Sequence, residues 1–226
     1  MPERYTLTTL DALDEIFGAV PEGSAPRWNI APLQLALIRT ASAVVAARWG
    51  LLPPWRGHGG KRGPHVLHAP VALIESTPLL RNAFKSQRCL VIADGFFVWH
   101  KTAKKSVPMW MHVPDPEQPG RSKLLGFAAV AATHRDDHQL SFALIAGPAP
   151  AGQPGIGPID TELPVVIAAA DHAAWLTGKP DRALALVAPQ ATAWRAEPVS
   201  TWVNSVDHDD PKCVEPLSNP RQGELF

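Results

Sequence analysis

Residues 89–99, Cys-Leu-Val-Ile-Ala-Asp-Gly-Phe-Phe-Val-Trp, decide the fold class of this chain. The run is rich in β-branched and aromatic residues, which favour extended chain on a buried surface. We predict one strand from Cys89 to Trp99. Within it, Cys89 is expected to act as a small buried hydrophobic residue rather than as a reactive thiol.

Further strand-like runs lie on both sides, and the Pro, Gly and charged residues between them favour antiparallel pairing. They are 34–39, 43–49, 108–113, 124–133, 140–147 and 163–167. Helical patterns are few. We predict helices at 9–17, capped by Thr8 or Thr9 and ended by Gly18, at 78–86, and at 173–176, capped by Asp171.

The predicted fold class is therefore α+β: a mostly antiparallel β core in barrel-like curved sheets, with a few peripheral helices. The Gly-rich loop 56–64 and the Pro/Gly-rich loop 147–158 interrupt the strands without separating two cores. We predict a single domain over residues 1–216 and a C-terminal tail over 217–226.

The composition limits the classes of function. Lys and Arg total 21 and so do Asp and Glu, so any nucleic-acid site must be a local patch.

Two cysteines, Cys89 and Cys213, are too few for a disulfide framework, and Cys213 lies in a charged region where it could be exposed. The histidines lack metal-ligand spacing, so we predict no metal and no cofactor. With no signal peptide or apolar span, the expected location is the cytoplasm.

Several segments, in order along the chain, resemble the SRAP (SOS-response-associated peptidase) family. The opening Met1–Leu7 resembles the family's Met-Cys-Gly-Arg-Phe/Tyr-Thr start, and 27–32 (RWNIAP) its R-x-N-x-A-P motif. Residues 48–55 (RWGLLPPW) are similar to W-G-L-I-P-x-W, and 89–99 to R-C-L-x-P-A-D-G-F-Y-E-W. Leu163-Pro164 resembles the end of H-x-R-M-P, and 198–204 (PVSTWVN) resembles P-V-S-x-x-V-N.

The resemblance implies a role in the bacterial DNA-damage (SOS) response. Members of the family lose the initiator Met, and the exposed cysteine captures the aldehyde of an abasic site in single-stranded DNA as a thiazolidine. The same cysteine is thought to cleave a pro-peptide in members that carry one. The resemblance also implies an SRAP-like β core with a positively charged groove.

At the positions that match the family's catalytic residues, this chain has other residues. The cysteine position is Pro2, the Glu position is Val98, the His position is Asp160, and the Asn of N-A-R falls on His68. Proline has no thiol to close a thiazolidine. We therefore predict a protein that binds single-stranded or abasic-site DNA without the family's cross-linking and peptidase chemistry, and the resemblance leaves open whether it is an enzyme.

Two alternatives stay open. If Met1 is removed, the secondary amine of Pro2 could form an iminium with an abasic-site aldehyde and favour strand scission, with Asp160 or His68 moving protons. Alternatively, the chain is a non-catalytic scaffold that keeps the fold in order to bind a protein partner. Salt-dependent binding to single-stranded DNA distinguishes the DNA-binding protein and the Pro2 enzyme from the scaffold, which would show no such binding.

The residues that keep the family pattern are the predicted DNA contacts. They are Arg4, Arg27, Asn29, Pro32, Trp49 and Trp55. For Trp49, Trp55 and Trp99 we weigh base stacking against a place in the core or in a groove wall. Two basic clusters, one within 56–68 and one of Lys101, Lys104 and Lys105, could contact phosphates or could be solvated loop charge.

The C-terminal residues Gln222-Gly-Glu-Leu-Phe226 fit a Q-x-x-L-F pattern that resembles peptides docking into the bacterial sliding clamp. In this interpretation Leu225 and Phe226 are apolar anchors and Gln222 sets the register. The alternative is a tail that packs onto its own domain.

Overall fold

A computed structural model describes residues 3–53, 63–101, 106–135, 137–149, 162–188 and 192–217. None of the described helices is long and apolar enough to cross a membrane. The helices are α1 (Leu13–Phe17), α2 (Pro78–Ser86), α3 (His172–Thr177) and α4 (Pro180–Leu186). The strands are β1 (Arg4–Leu7), β2 (Arg27–Ile30), β3 (Leu35–Arg39), β4 (Val44–Trp49), β5 (His68–Pro70), β6 (Arg88–Ala93), β7 (Gly95–Lys101), β8 (Ser106–His112), β9 (Leu125–Thr133), β10 (Leu140–Pro148), β11 (Glu162–Pro164), β12 (Val166–Ile167) and β13 (Arg195–Pro198).

Five strands close into a barrel. The pairings β4 with β3, β3 with β6, β6 with β9 and β9 with β10 are antiparallel, and β10 completes the ring by pairing with β4 in parallel. Closure pairs strand edges that would otherwise expose unpaired backbone groups. Every residue of β6 is buried, as are residues 126–132 of β9. The predicted α+β class with a mostly antiparallel, barrel-like core is confirmed.

A second sheet has the strand order β13, β8, β7, β1, β2. The chain passes from the barrel to this sheet at Asp94, so the single strand predicted for 89–99 is wrong. Asp94 is fully buried, its backbone N–H donates to the Thr6 carbonyl, and its carboxylate accepts from the hydroxyls of Thr6 (2.6 Å) and Thr8 (2.7 Å). These bonds hold the turn that separates β6 from β7.

Other local expectations also change. The predicted helix at 9–17 begins at Leu13, because Ala12 is left-handed (φ 59°) and Thr8 bonds Asp94 instead of capping. Asp171 makes no capping hydrogen bond to α3, although it was predicted to cap that helix.

The pairings of β10 with β4 and with β5 are parallel, although antiparallel pairing was predicted. The sequence interpretation missed β1, β2, β5, β13 and α4, whereas the helix at Pro78–Ser86 and the end of α1 at Gly18 are confirmed.

The buried guanidinium of Arg88 fastens two helices to the barrel. It donates to the carbonyl oxygens of Trp175 (2.6 Å), Phe84 (2.7 Å) and Gly178. The same group lies 5.5 Å from the Phe84 ring centroid and 5.9 Å from that of Trp175. Because all three acceptors lie in or beside the last turns of α2 and α3, one charge satisfies carbonyls that a helix end leaves unpaired.

The C-terminal segment 199–217 covers the outer face of the second sheet. Phe97 and Trp110 on that face form a buried cluster with Val199, Val203 and Cys213. Cys213 is fully buried, so the expectation that it could be exposed is wrong. Cys213 belongs to the 3-10 turn Pro211–Val214, and its Sγ lies 3.5 Å from the His208 carbonyl oxygen.

Candidate nucleic-acid interface

The N-terminal strand lies beside the position where the family motif has a Glu. In the antiparallel pair of β1 and β7, Arg4 is opposite Phe97, the residue before Val98. The Val98 side chain belongs to the main core and is 4% exposed. It carries no group that can take or give a proton, so acid/base chemistry cannot come from this side chain.

A series of aromatic contacts joins β1 to His68. The rings of Tyr5 and Trp49 meet at 62° with centroids 5.2 Å apart, and Trp49 meets the His68 ring at 78° and 5.9 Å. Trp49 is fully buried, and its indole Nε1 donates to the Leu67 carbonyl at 3.0 Å. The packing of Trp49 therefore sets the place of half-buried His68 relative to the N-terminal strand.

The barrel strand β10 pairs with β5, which carries His68, and with β11, which follows Asp160 in the sequence. β5 pairs with β10 at His68 and Leu144, and β11 pairs with it at Leu163 and Gly147. Because β5 and β11 lie on opposite edges of β10, that strand separates His68 from Leu163. Three predicted site residues, Pro2, Trp55 and Asp160, lie outside the described residues.

The R-x-N pattern of β2 forms a hydrogen-bonded unit with Asp209. The Asp209 carboxylate accepts from the Arg27 Nε, from the Trp28 backbone N–H (2.6 Å) and from the Asn29 backbone N–H (2.9 Å). Arg27 also donates through Nη2 to Gln34 Oε1 at 2.7 Å. These bonds join β2 to a segment about 180 positions later in the chain.

Two of the predicted DNA contacts do not fit their positions in the fold. The Asn29 side chain is fully buried, and its amide nitrogen donates to the carbonyl oxygens of Val203, Ser205 and His208. Trp49 is fully buried as well, so it matches the core alternative rather than base stacking. Neither side chain can reach a DNA strand in this conformation.

Arg4, Arg27 and Pro32 keep part of their surface accessible. Burial lowers the pKa of Arg4, opposed by the charge of Glu3. The Arg4 Nε is buried without a hydrogen-bond partner within the described part of the chain, while its Nη1 donates to the Glu3 carbonyl at 2.9 Å. Pro32 lies in the turn after β2.

Trp99 is half-buried and follows Val98 on β7, where it points to the opposite face of the sheet. Its ring packs against Phe97, with centroids 6.4 Å apart, and its Nε1 donates to the Asn204 side-chain oxygen at 2.8 Å. Of the three tryptophans weighed for base stacking, Trp99 is the one that the structure describes as partly accessible.

Both cysteines of the chain are buried, and neither forms a disulfide. Burial raises the pKa of the Cys89 thiol well above its usual range and also raises that of Cys213. The expectation that Cys89 is a small buried hydrophobic residue is confirmed. Because the thiolate is the reactive form, neither residue is suited to nucleophilic chemistry.

The basic clusters fall largely outside the described residues. This applies to 56–62, to Lys104 and Lys105, and to the side chain of Lys101. The described His65 is held by a contact of 3.1 Å between its Nδ1 and the Gly50 carbonyl. No group of three or more potential metal ligands occurs within the described ranges.

A closed barrel, a second sheet built around the N-terminal strand, and a C-terminal segment held by β2 together define a class of β-barrel protein whose N-terminal strand borders the candidate site. Residues 1–206 match the sequence model of the family described as SOS response associated peptidase (SRAP). The chain belongs to this family.

Named relatives match most of the chain. The abasic site processing protein YoqW of Bacillus subtilis is 28% identical over 228 residues, which covers 94% of this chain and 98% of YoqW. YoaM of the same organism, also named an abasic site processing protein, is 29% identical and covers 90% of this chain and 89% of its own length. Abasic site processing protein HMCES of Xenopus tropicalis is 29% identical over 77 residues, or 31% of this chain and 22% of HMCES.

Solved structures show the same fold. A protein from Bacteroides thetaiotaomicron has a TM-score of 0.71 at 17% identity and covers 95% of this chain and 99% of its own. A phage-related protein of Bordetella bronchiseptica has a TM-score of 0.65 at 21% identity and covers 87% of this chain and 93% of its own.

The sequence interpretation did not predict two sets of hydrogen bonds near the candidate site. Asp209 lies in the acidic run Asp207–Asp210, and no local pattern shows that its carboxylate bonds the backbone of β2. Asn204 was noticed as the last residue of P-V-S-x-x-V-N, but its bond to Trp99 depends on how two distant segments meet.

Proposed function

We propose that this protein binds single-stranded DNA at abasic sites without forming the family's covalent thiazolidine adduct. The observation that carries the proposal is the state of the thiols: position 2 is proline, and both cysteines of the chain lie inside the fold. Ring closure on an aldehyde needs an amine and a thiol on the same residue. The aliphatic Val98 supports the proposal, because a Glu at that position would be the proton carrier.

The proposed DNA surface uses the accessible residues near β1. Arg4 supplies positive charge for phosphates, Arg27 keeps part of its guanidinium accessible beside its ion pair with Asp209, and Trp99 supplies a ring for an unpaired base. Base stacking on an aromatic side chain contributes about 1–3 kcal/mol per base. Trp55 and the basic residues of 56–62 extend this surface in our proposal. The names of the relatives YoqW and YoaM support abasic-site DNA as the partner.

A titration with labelled single-stranded DNA, with and without an abasic site, tests the binding. We expect fluorescence polarisation to show binding that weakens as salt rises from about 50 to 200 mM, because phosphate contacts release counterions. Denaturing gels of the same mixtures should show no adduct. Absence of salt-dependent binding would favour the protein-interaction scaffold instead.

Borohydride trapping separates binding from chemistry at the Pro2 amine. An iminium forms when the amine adds to the aldehyde and water leaves, and borohydride reduces it to a stable amine that joins protein and DNA. We expect no trapped species. A species that forms with a free N-terminus and is absent when that terminus is blocked would replace our proposal with the lyase-type enzyme.

The proposal places the protein in the cytoplasm and includes the sliding clamp as a second partner, through Gln222, Leu225 and Phe226. All three residues lie outside the described ranges, and the support is their Q-x-x-L-F pattern. Immobilised clamp should retain the full-length chain and release a variant truncated after Pro220. Failure of the full-length chain to bind would remove the clamp from the proposal and leave DNA binding unaffected.

A further inference from the structure

The orientation of Trp99 is fixed by a residue far away in the sequence. The indole Nε1, its one polar atom, donates to the Asn204 Oδ1 at 2.8 Å, and one side of the ring packs toward Phe97. A tryptophan side chain turns about two torsions, and a hydrogen bond at the far end of the ring restrains both. The ring is therefore restrained before any ligand arrives.

Asn204 is itself held from both sides. It ends the 3-10 turn Thr201–Asn204, which begins where the Ser200 hydroxyl accepts from the Trp202 backbone N–H at 3.2 Å. The Asn29 amide nitrogen donates to the carbonyl oxygens of Val203 (3.1 Å) and Ser205 (2.8 Å), the residues that flank Asn204. A fully buried side chain on β2 thus fixes the backbone that presents the Asn204 oxygen to the indole.

We propose that Asn204 is a positioning residue for DNA binding and acts through Trp99. It holds the indole in the orientation in which an unpaired base stacks on it, so less side-chain freedom is lost when DNA binds. This inference rests on the proposed DNA binding. It assigns the P-V-S-x-x-V-N segment a part in ligand affinity in addition to its part in the fold.

The test compares variants that keep or remove the acceptor oxygen. Asn204→Leu keeps the number and branching of the side-chain heavy atoms but is bulkier and cannot accept from the indole, whereas Asn204→Asp keeps the oxygen. We expect Asn204→Leu to raise the Kd for single-stranded DNA about fivefold, as the loss of one hydrogen bond implies. Asn204→Asp should bind more tightly than Asn204→Leu, and its remaining loss relative to the wild type should shrink as salt rises, because salt screens the added charge. Asn204→Ser, which is too short to reach the indole, replaces the Leu variant if that variant does not fold.

A double-mutant cycle separates positioning from a general loss of stability. Trp99→Phe removes the donor, so Asn204→Leu should add no further loss of affinity in that background. The indole N–H resonance of Trp99 should shift in Asn204→Leu and stay in place in Asn204→Asp. Thermal unfolding shows that each variant is folded at the temperature of the titration.

The outcomes are distinguishable. If the wild type does not bind single-stranded DNA, the proposed function and this inference both fall. If the wild type binds and Asn204→Leu binds equally well, the inference alone is overturned. An equal loss of affinity from Asn204→Leu with Trp99 present and with Phe at position 99 would also overturn it, because the effect would then not pass through the indole.

Discussion

Tyr5 and Trp49 meet edge to face across the junction of the two sheets, and the Tyr5 hydroxyl is fully buried there. Within the described residues this hydroxyl has no hydrogen-bond partner. Burial raises the pKa of the phenol well above its usual range, so the group stays neutral. The contact between the rings holds the N-terminal strand against the barrel, while the hydroxyl contributes only its cost of desolvation.

Tyr5→Phe should therefore leave the free energy of unfolding unchanged or raise it by up to about 1 kcal/mol, because it removes a buried polar group that has no partner. Chemical denaturation measures the change. Tyr5→Leu is the matched control and should lower the free energy of unfolding by about 1–3 kcal/mol through the lost contact with Trp49. A fall of more than 1 kcal/mol in Tyr5→Phe would show that the hydroxyl is bonded.

Gly95→Ala should destabilise the protein by about 2–3 kcal/mol, because a Cβ at Gly95 would lie 2.9 Å from the Met111 carbonyl oxygen and 3.0 Å from the Thr6 hydroxyl. The backbone of β8 would have to move. Gly23→Ala is the control: nothing lies within 4 Å of its Cβ, and its φ of 80° costs about 1–2 kcal/mol. Differential scanning calorimetry should rank Gly95→Ala below Gly23→Ala, and the reverse order would contradict the packing described for Gly95.

Arg88→Met should lower the free energy of unfolding by about 3–5 kcal/mol, because it leaves the carbonyl oxygens of Phe84, Trp175 and Gly178 without their donor. Urea denaturation gives the value. Arg121→Met removes an exposed arginine that pairs with Asp11, and it should change stability by less than about 0.5 kcal/mol. Similar losses in the two variants would argue against a special role for the buried arginine.

Stability should fall as the pH drops below about 6.5, partly because of His112. Burial lowers the pKa of His112, although the Glu197 charge opposes that shift and Arg195 adds to it. Below pH about 6.5 the unfolded chain therefore binds a proton at His112 more readily than the folded chain does. The contribution of His112 to the free energy of unfolding is complete above the unfolded pKa of about 6.5 and is lost as the pH falls below it. Burial lowers the pKa of His172 as well, with the same sign.

His112→Gln should flatten the dependence of Tm on pH between about 7.5 and 5.5, whatever its effect on Tm itself. The exposed histidine His138 supplies the control, as His138→Asn, because asparagine tolerates its φ of 53°. A slope in His112→Gln as steep as in the wild type would show that other groups set the acid sensitivity.

Strands were predicted best where their residues are buried on both faces, or where apolar and polar residues alternate over five or more positions. β9 and β10 were found nearly to the residue. β5 and β13, of three and four residues, contain proline and have no apolar pattern, so only their partners β10 and β8 make them strands. The break at Asp94 also escaped prediction, because the hydroxyls that bond it come from residues some 86 positions earlier.

In the candidate site, too, the sequence pointed to residues but not to the contacts that they make. Family motifs pointed to Arg27, Asn29 and Trp49, but a motif does not tell a ligand contact from a residue that holds the fold. Asn29 and Trp49 proved to be buried. Hydrogen bonds between β2 and the C-terminal segment explain the presence of Asn29, and those bonds could not be inferred from either segment alone.

The place of β10 in the barrel has a consequence for synthesis. This strand pairs with β4, β5, β9 and β11, and its parallel contact with β4 joins residues about 93 positions apart. Contacts between such distant residues slow folding, and a nascent chain shorter than about 148 residues lacks the strand that closes the barrel. Until then the edges of β4 and β9 that β10 will cover are open to wrong partners, so we expect the growing chain to depend on chaperones until β10 has left the ribosome.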